Sequence, residues 1–223
     1  MPRFYPMMVD LSGKPVVVVG GGTIALDKVE LFLRFDAAIT VVSPDLHPDL
    51  AAHLAAGRIR HVPRAYRPGD LAGAAIAVGA TDDRAVNGRV AAEARAAGIP
   101  VNVVDTPAEC SFIVPSVVTQ GELVIAVSTG GASPALAKRL RRNLEAQYGP
   151  AYGELLALLR QARERLQRAG ASFTDRQGFF ERALAGDTLE LVARGDLAAV
   201  KARLDAMVEH YLAHRPAPAA ARS

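Results

Sequence analysis

Four consecutive valines, Val16 to Val19, pass straight into Gly20-Gly21-Gly22 and then into Thr23-Ile24-Ala25. β-branched residues favour an extended strand, glycines permit a tight turn, and the residues beyond have helical character. Strand, glycine turn and helix N-terminus in this order fit the dinucleotide-binding fingerprint G-x-G-x-x-A. In this reading Gly20 makes the turn. Gly22 lets backbone N–H groups approach a pyrophosphate, and Ala25 lets the helix pack closely on the strand. The unpaired N–H groups and the positive helix end favour the anion. Gly20, Gly21, Gly22, Thr23 and Ile24 are therefore the expected cofactor contacts of this turn.

The same alternation continues. Strands are expected over 15–19, 38–42, 59–62, 75–78 and 101–104, with helices over 23–34, 47–56 and 84–97. A βαβαβ order implies a parallel, doubly wound α/β sheet of the Rossmann type. Ligands of such sheets bind outside the carboxyl ends of the strands. The glycine turn, Ser43-Pro44-Asp45, Ala80-Thr81-Asp82 and Asp105 all fall at such ends. Beyond Thr106-Pro107 the pattern changes: 112–119 and 123–128 read as a hairpin. Ser133-Pro134 reads as the cap and first residue of a helix reaching about Tyr148. From Ala151 the pattern is helical only. The expected division is a dinucleotide-binding domain over 1–113, a strand–helix segment over 114–150, a helical domain over 151–215 and a disordered Pro/Ala-rich tail over 216–223.

Composition narrows the function classes. Half of the 223 residues are hydrophobic, Trp is absent, and the formal net charge is only +3. The core must be aliphatic, and bulk electrostatic attraction to nucleic acid is not expected. Cys110 stands alone, so a reducing cytoplasmic setting is expected, with a buried apolar thiol as its default. The first ten residues show no apolar run behind a basic start, and no segment approaches the roughly 20 apolar residues that span a bilayer. Neither a signal peptide nor a membrane partner is expected. No G-x-x-x-x-G-K-[ST] loop and no Tyr-x-x-x-Lys pair is present, which removes P-loop ATP hydrolysis and the short-chain alcohol dehydrogenase mechanism. The five histidines show no metal-ligand pattern. His210 and His214 are four apart on one expected helix, a spacing that can hold a metal, and a solvated pair near the C-terminus is the preferred reading.

Several residues carry candidate chemistry. Asp105 at a strand end is placed for a general base near a nicotinamide, or for starting the Asp105-Thr106-Pro107 turn through its own backbone. Thr81, Asp82 and Asp83 either touch a ribose or cap the next helix. Asp45 lies near the place where an acidic residue binds the adenine ribose and favours NAD over NADP, while Arg58 and Arg60 are available to a 2′-phosphate. Lys138, Arg141 and Arg142 share a helical face. With the N–H groups of Thr129 to Gly131 they suit a polyanion, or they form a solvated basic face near a helix C-terminus.

Taken together, these segments resemble a known family. Tyr5-Pro6 before Leu11, Val16 to Ala25 with Lys28, Ala80-Thr81-Asp82-Asp83, Asn102-Val103-Val104-Asp105, Phe112-Ile113-Val114-Pro115 and Ser128-Thr129-Gly130-Gly131-Ala132-Ser133-Pro134 occur in that order. The chain resembles the precorrin-2 dehydrogenases of sirohaem synthesis, some of which double as sirohydrochlorin ferrochelatases. The match covers about residues 3 to 145. It departs at Phe35-Asp36-Ala37, where relatives commonly have a glycine turn.

The resemblance implies NAD as cofactor and precorrin-2, an octacarboxylate tetrapyrrole, as substrate. It implies a homodimer, and Asp105 as the catalytic aspartate. It also implies that Asn102, Ser128, Thr129, Gly130, Gly131, Ser133 and Lys138 meet the substrate. A metal-binding set is unknown. A non-catalytic NAD-sensing regulatory module is the alternative, in which case the Gly130-Gly131 turn and the basic helix have no purpose.

Overall fold

The computed structural model describes residues 4–214. It forms two compact units, one up to Val114 and one from Pro115 onward.

In the first unit β1 (Pro15–Val19), α1 (Thr23–Leu33), β2 (Ala38–Val42), α2 (Pro48–Ala55), β3 (Ile59–Val62), β4 (Ile76–Gly79), α3 (Arg84–Ala96) and β5 (Val101–Val103) follow one another. The sheet order is β3-β2-β1-β4-β5 and every pair is parallel. The valine run explains why β1 is central. Val16 and Val18 enter one core with Ala25, Leu26 and Val29 of α1. Val17 and Val19 enter the opposite core with Val90, Ala91 and Ala94 of α3. Both faces of the strand are therefore apolar, as a sheet covered on both sides requires. Each buried valine contributes roughly 1.5–3 kcal/mol. The strand order reverses between β1 and β4, so a crevice opens beyond their carboxyl ends.

The connection from β3 to β4 carries no helix. Instead its loop is tied down by two acids. Asp70 takes Arg64 in a two-pronged pair, at 2.8 and 2.7 Å, and accepts the Arg67 N–H. Glu93 of α3 accepts the Gly69 and Leu71 N–H groups and the Tyr66 hydroxyl.

In the second unit β6 (Ser116–Gln120) and β7 (Leu123–Val127) pair antiparallel around Gly121-Glu122, with Gly121 at φ +58°. Five helices follow: α4 (Pro134–Gln147), α5 (Pro150–Arg168), α6 (Phe173–Ala183), α7 (Thr188–Ala193) and α8 (Leu197–His214). Leu155, Leu166, Phe179, Val192, Val200 and Leu204 form their core. The hairpin turn presses on α5 at Gly153, where a Cβ would meet the Gln120 carbonyl oxygen at 2.7 Å. Arg160 and Glu122 pair across the same contact.

The first expected hairpin strand starts later than the sequence suggests. Residues 112–115 form no strand because Pro115 has no N–H for a ladder, and Phe112 packs on the core of the first unit. The short helix α7 was not expected; its 6 residues lie between Gly186 and Gly195, too few to show a period. The tail expectation for 216–223 falls outside the described residues.

Candidate functional site

The carboxyl edge of the first sheet is built from glycine contacts between neighbouring loops. Gly20 has φ +126°, and a Cβ there would be driven into the Ala80 carbonyl. A Cβ on Gly21 would collide with the Asp45 carbonyl and lie 2.6 Å from Ser43 Oγ. The Gly21 carbonyl accepts the His47 N–H at 2.7 Å. Three of the expected loops are thus locked side by side. Gly22 differs: a Cβ on it would meet nothing within 4 Å. It precedes α1 and, having no side chain, gives no cap, so the Thr23 and Ile24 N–H groups have no acceptor among the described residues. Ile24 is 47% exposed beside them. This is a cradle open at the point where a pyrophosphate needs backbone donors, and a dinucleotide fits it.

Around this cradle the expected residues take distinct parts. Ser43 is buried, and its carbonyl lies 2.8 Å from His61 Nε2. Pro44 and Asp45 are exposed at the end of β2. Asp83 caps α3, accepting the Ala85 and Val86 N–H groups. Asp82 is exposed, and Thr81 turns its hydroxyl toward Asn87. Asp105 stands two residues beyond β5, exposed, at φ +56°. Its carboxylate has no hydrogen-bond partner among the described residues, so the backbone-bonded turn weighed from sequence is not what the side chain does. Asn102 is buried, and its amide donates to the Phe112 carbonyl at 3.2 Å and to Cys110 Sγ at 3.6 Å. It holds the 110–112 segment against β5. Cys110 is half-buried, accepting the Val103 N–H at 3.2 Å, rather than a purely apolar thiol. Burial lowers the pKa of Lys28 from the ordinary lysine value, and neighbouring Asp27 and Cys110 oppose that shift.

In the second unit Ser128 to Ser133 forms a turn before α4. Gly130 and Gly131 have φ +63° and +88°, which L side chains rarely adopt. Ser133 caps α4 by accepting the Leu136 N–H, and the Thr129 hydroxyl donates to the Ser133 carbonyl at 3.0 Å. The Gly130 N–H is taken by Ser128 Oγ at 3.1 Å. Among the described residues the Thr129 and Gly131 N–H groups have no acceptor, so these two, and not Gly130, are the donors that the turn offers. On α4, Lys138 and Arg142 are exposed, whereas Arg141 turns to Glu145 at 2.5 Å. The basic face is therefore narrower than the spacing suggests.

Three family models cover the chain in series: putative NAD(P)-binding over residues 7–116, sirohaem biosynthesis protein central over 120–147, and sirohaem synthase dimerisation region over 151–208. A solved structure titled SirC, precorrin-2 dehydrogenase, is similar over 89% of this chain and 100% of that one, with a TM-score of 0.70 and 30% identity. The chain belongs to the precorrin-2 dehydrogenase family of sirohaem biosynthesis. Siroheme synthases of Methylobacillus flagellatus and Nitrosospira multiformis share 44% and 40% identity over 88% and 93% of the chain. The chain spans 42% and 45% of those proteins, less than half of their length. Among the described residues no helix is long and apolar enough to cross a membrane.

For this family member, sequence reasoning passed over Asn87. It is 5% exposed, at the head of the α3 stripe that continues with Val90, Ala91 and Ala94. An asparagine on an otherwise apolar helical stripe is the signal that marks it. His210 and His214 stack, with His214 Nδ1 2.9 Å from the His210 carbonyl, and no cluster of metal-ligating side chains occurs among the described residues.

Proposed function

We propose that the chain catalyses the NAD-dependent oxidation of precorrin-2 to sirohydrochlorin. The observation that carries this is the correspondence with the whole of a precorrin-2 dehydrogenase chain, in a protein whose open glycine cradle shares a sheet edge with Asp105. Gly20, Gly21 and Gly22 with the Thr23 and Ile24 N–H groups hold the pyrophosphate. Ser43, Pro44 and Asp45 would lie on the adenine ribose side, and Ala80, Thr81 and Asp82 would meet the cofactor along the same edge. Bound NAD supplies the hydride acceptor.

The substrate loses a hydride and a proton. Asp105 takes the proton on a carboxylate without a hydrogen-bond partner among the described residues, and then releases it to water. Thr129 and Gly131, with Ser128, Gly130 and Ser133 shaping their turn, bind substrate carboxylates through backbone N–H groups. Lys138 adds positive charge, and Asn102 acts by keeping the 110–112 segment in place. The active form is a homodimer, a reading supported by the dimerisation-region match over 151–208. The setting is cytoplasmic, a reading supported by the single cysteine.

The test is absorbance at the NADH band after mixing protein, NAD and precorrin-2. A rise with formation of sirohydrochlorin is expected. NAD binding without any rise would leave the NAD-sensing module as the better account. Ferrous iron added after the oxidation tests for the iron insertion that some members of the family also carry out.

A further inference from the structure

Asn87 makes hydrogen bonds with both ends of its amide, all to one residue. Oδ1 accepts the Thr81 N–H at 3.2 Å and Nδ2 donates to the Thr81 carbonyl at 2.9 Å. The side chain thereby pairs with the Thr81 peptide groups as a neighbouring strand would. The Thr81 N–H can only donate, which fixes the end of the amide that faces it. The Thr81 hydroxyl lies 2.9 Å from the same Oδ1 and 3.0 Å from the Asp83 carbonyl, sharing its proton between them. Gly79 leaves room for this arrangement, because a Cβ there would stand 3.2 Å from Asn87 Oδ1.

The consequence is directional. Thr81 turns its polar side chain into the protein, so the 80–82 loop presents backbone and Asp82 outward. The loop also carries the carbonyl of Ala80, against which Gly20 is packed. A shift of Thr81 therefore moves the floor of the glycine turn. We infer that Asn87 is a positioning residue of the cofactor site, setting the course of the 80–82 loop and the backbone surface that the dinucleotide meets. This rests on the NAD site proposed above.

Asn87→Leu keeps the size but removes the donor and the acceptor. Asn87→Asp keeps shape and acceptor, removes the donor at neutral pH, and serves where the leucine variant does not fold. Thr81→Val removes the hydroxyl alone and leaves the backbone pairing. Calorimetric titration with NAD and steady-state kinetics are run on each, well below its melting temperature. Asn87→Leu and Asn87→Asp should weaken NAD binding and raise KM for NAD by about tenfold or more, the effect of losing hydrogen bonds to a buried amide. KM for precorrin-2 should stay within about twofold, less than the loss of one such bond would cause. Thr81→Val should have the smaller effect of the set. A merely structural role would lower the melting temperature and leave the NAD values unchanged, and that result overturns the inference. Wild-type protein that does not bind NAD overturns the cofactor site itself, and the inference with it.

Discussion

Gly20 and the Ala80 carbonyl approach so closely that no side chain fits between the first and the third loop of the cofactor edge. Two glycines of the same turn are thus required for different reasons. Gly20 is needed by the fold, because of its φ of +126° and its contact with Ala80. Gly22 has room for a Cβ, and what it leaves open is space for a ligand.

The contrast is measurable. Gly20→Ala should destabilise the protein by roughly 1–3 kcal/mol or more, from a strained backbone and a forced loop shift. Gly22→Ala should melt within a few degrees of wild type but bind NAD more weakly. Thermal melts paired with NAD calorimetry check this. Equal melting temperatures for the two variants would contradict the assignment.

Asp105 is best tested with a residue that tolerates its backbone. At φ +56° an asparagine is accommodated more readily than most residues. Asp105→Asn should retain folding and NAD binding while lowering turnover by roughly the 10²–10⁴-fold typical of a lost acid–base group. Turnover is read as NADH formation with precorrin-2; an active variant would remove the base from the mechanism.

The prediction for cofactor preference rests on the exposed Asp45 beyond β2. Its carboxylate suits a ribose hydroxyl and repels a 2′-phosphate. kcat/KM should favour NAD over NADP, and Asp45→Ala should narrow the gap. Equal values for both cofactors in the wild type would defeat the claim.

The acids that tie the β3–β4 connection predict a pH dependence of stability. The Arg64 guanidinium beside Asp70, with the Arg67 N–H, holds its carboxyl below the usual carboxylate range, although burial opposes this. The side chain is 12% exposed, so the pairing is partly protected from solvent. Between the depressed folded value and an unfolded value of about 3.9, the unfolded chain binds more protons. The contribution of Asp70 is then complete above about pH 4 and is lost as pH falls through its folded pKa. Asp70→Asn should cost roughly 1–3 kcal/mol at pH 7. The gap to wild type should close in acid, as denaturant melts across that range would show.

Much of the first unit was legible because β1 and β4 are buried on both faces and α3 begins at the Asp83 cap. The valine run marked a strand, and in the second unit Ser133-Pro134 marked the start of α4. Left-handed residues that are not glycine were not legible in the same way. Asp36 has φ +54°, at the place where the sequence departs from the glycine turn common in relatives. Asp105 has the same conformation, and neither sequence context marks it. The partners of Thr81 and of the Gly130 N–H were hidden too, because they depend on side chains turning inward. The resemblance named residues of the turn before α4, whereas the hydrogen bonds show which of its N–H groups are spent.

That distinction sharpens the prediction for the substrate's carboxylates. The Gly130 N–H is held by Ser128 Oγ, while Thr129 and Gly131 keep theirs available beside a helix N-terminus. Lys138 and Arg142 are exposed further along α4 and add positive field. Exposed charges are screened over about 8 Å at physiological ionic strength. KM for precorrin-2 should therefore rise with salt, and KM for NAD, whose phosphates are proposed to meet backbone groups of the cradle, should rise less. Lys138→Ala should flatten the salt response without moving the melting temperature. Gly130→Val is the less informative variant, because φ +63° strains any β-branched residue whatever the ligand. A KM for precorrin-2 that is flat in salt for both wild type and Lys138→Ala would place the tetrapyrrole away from this turn.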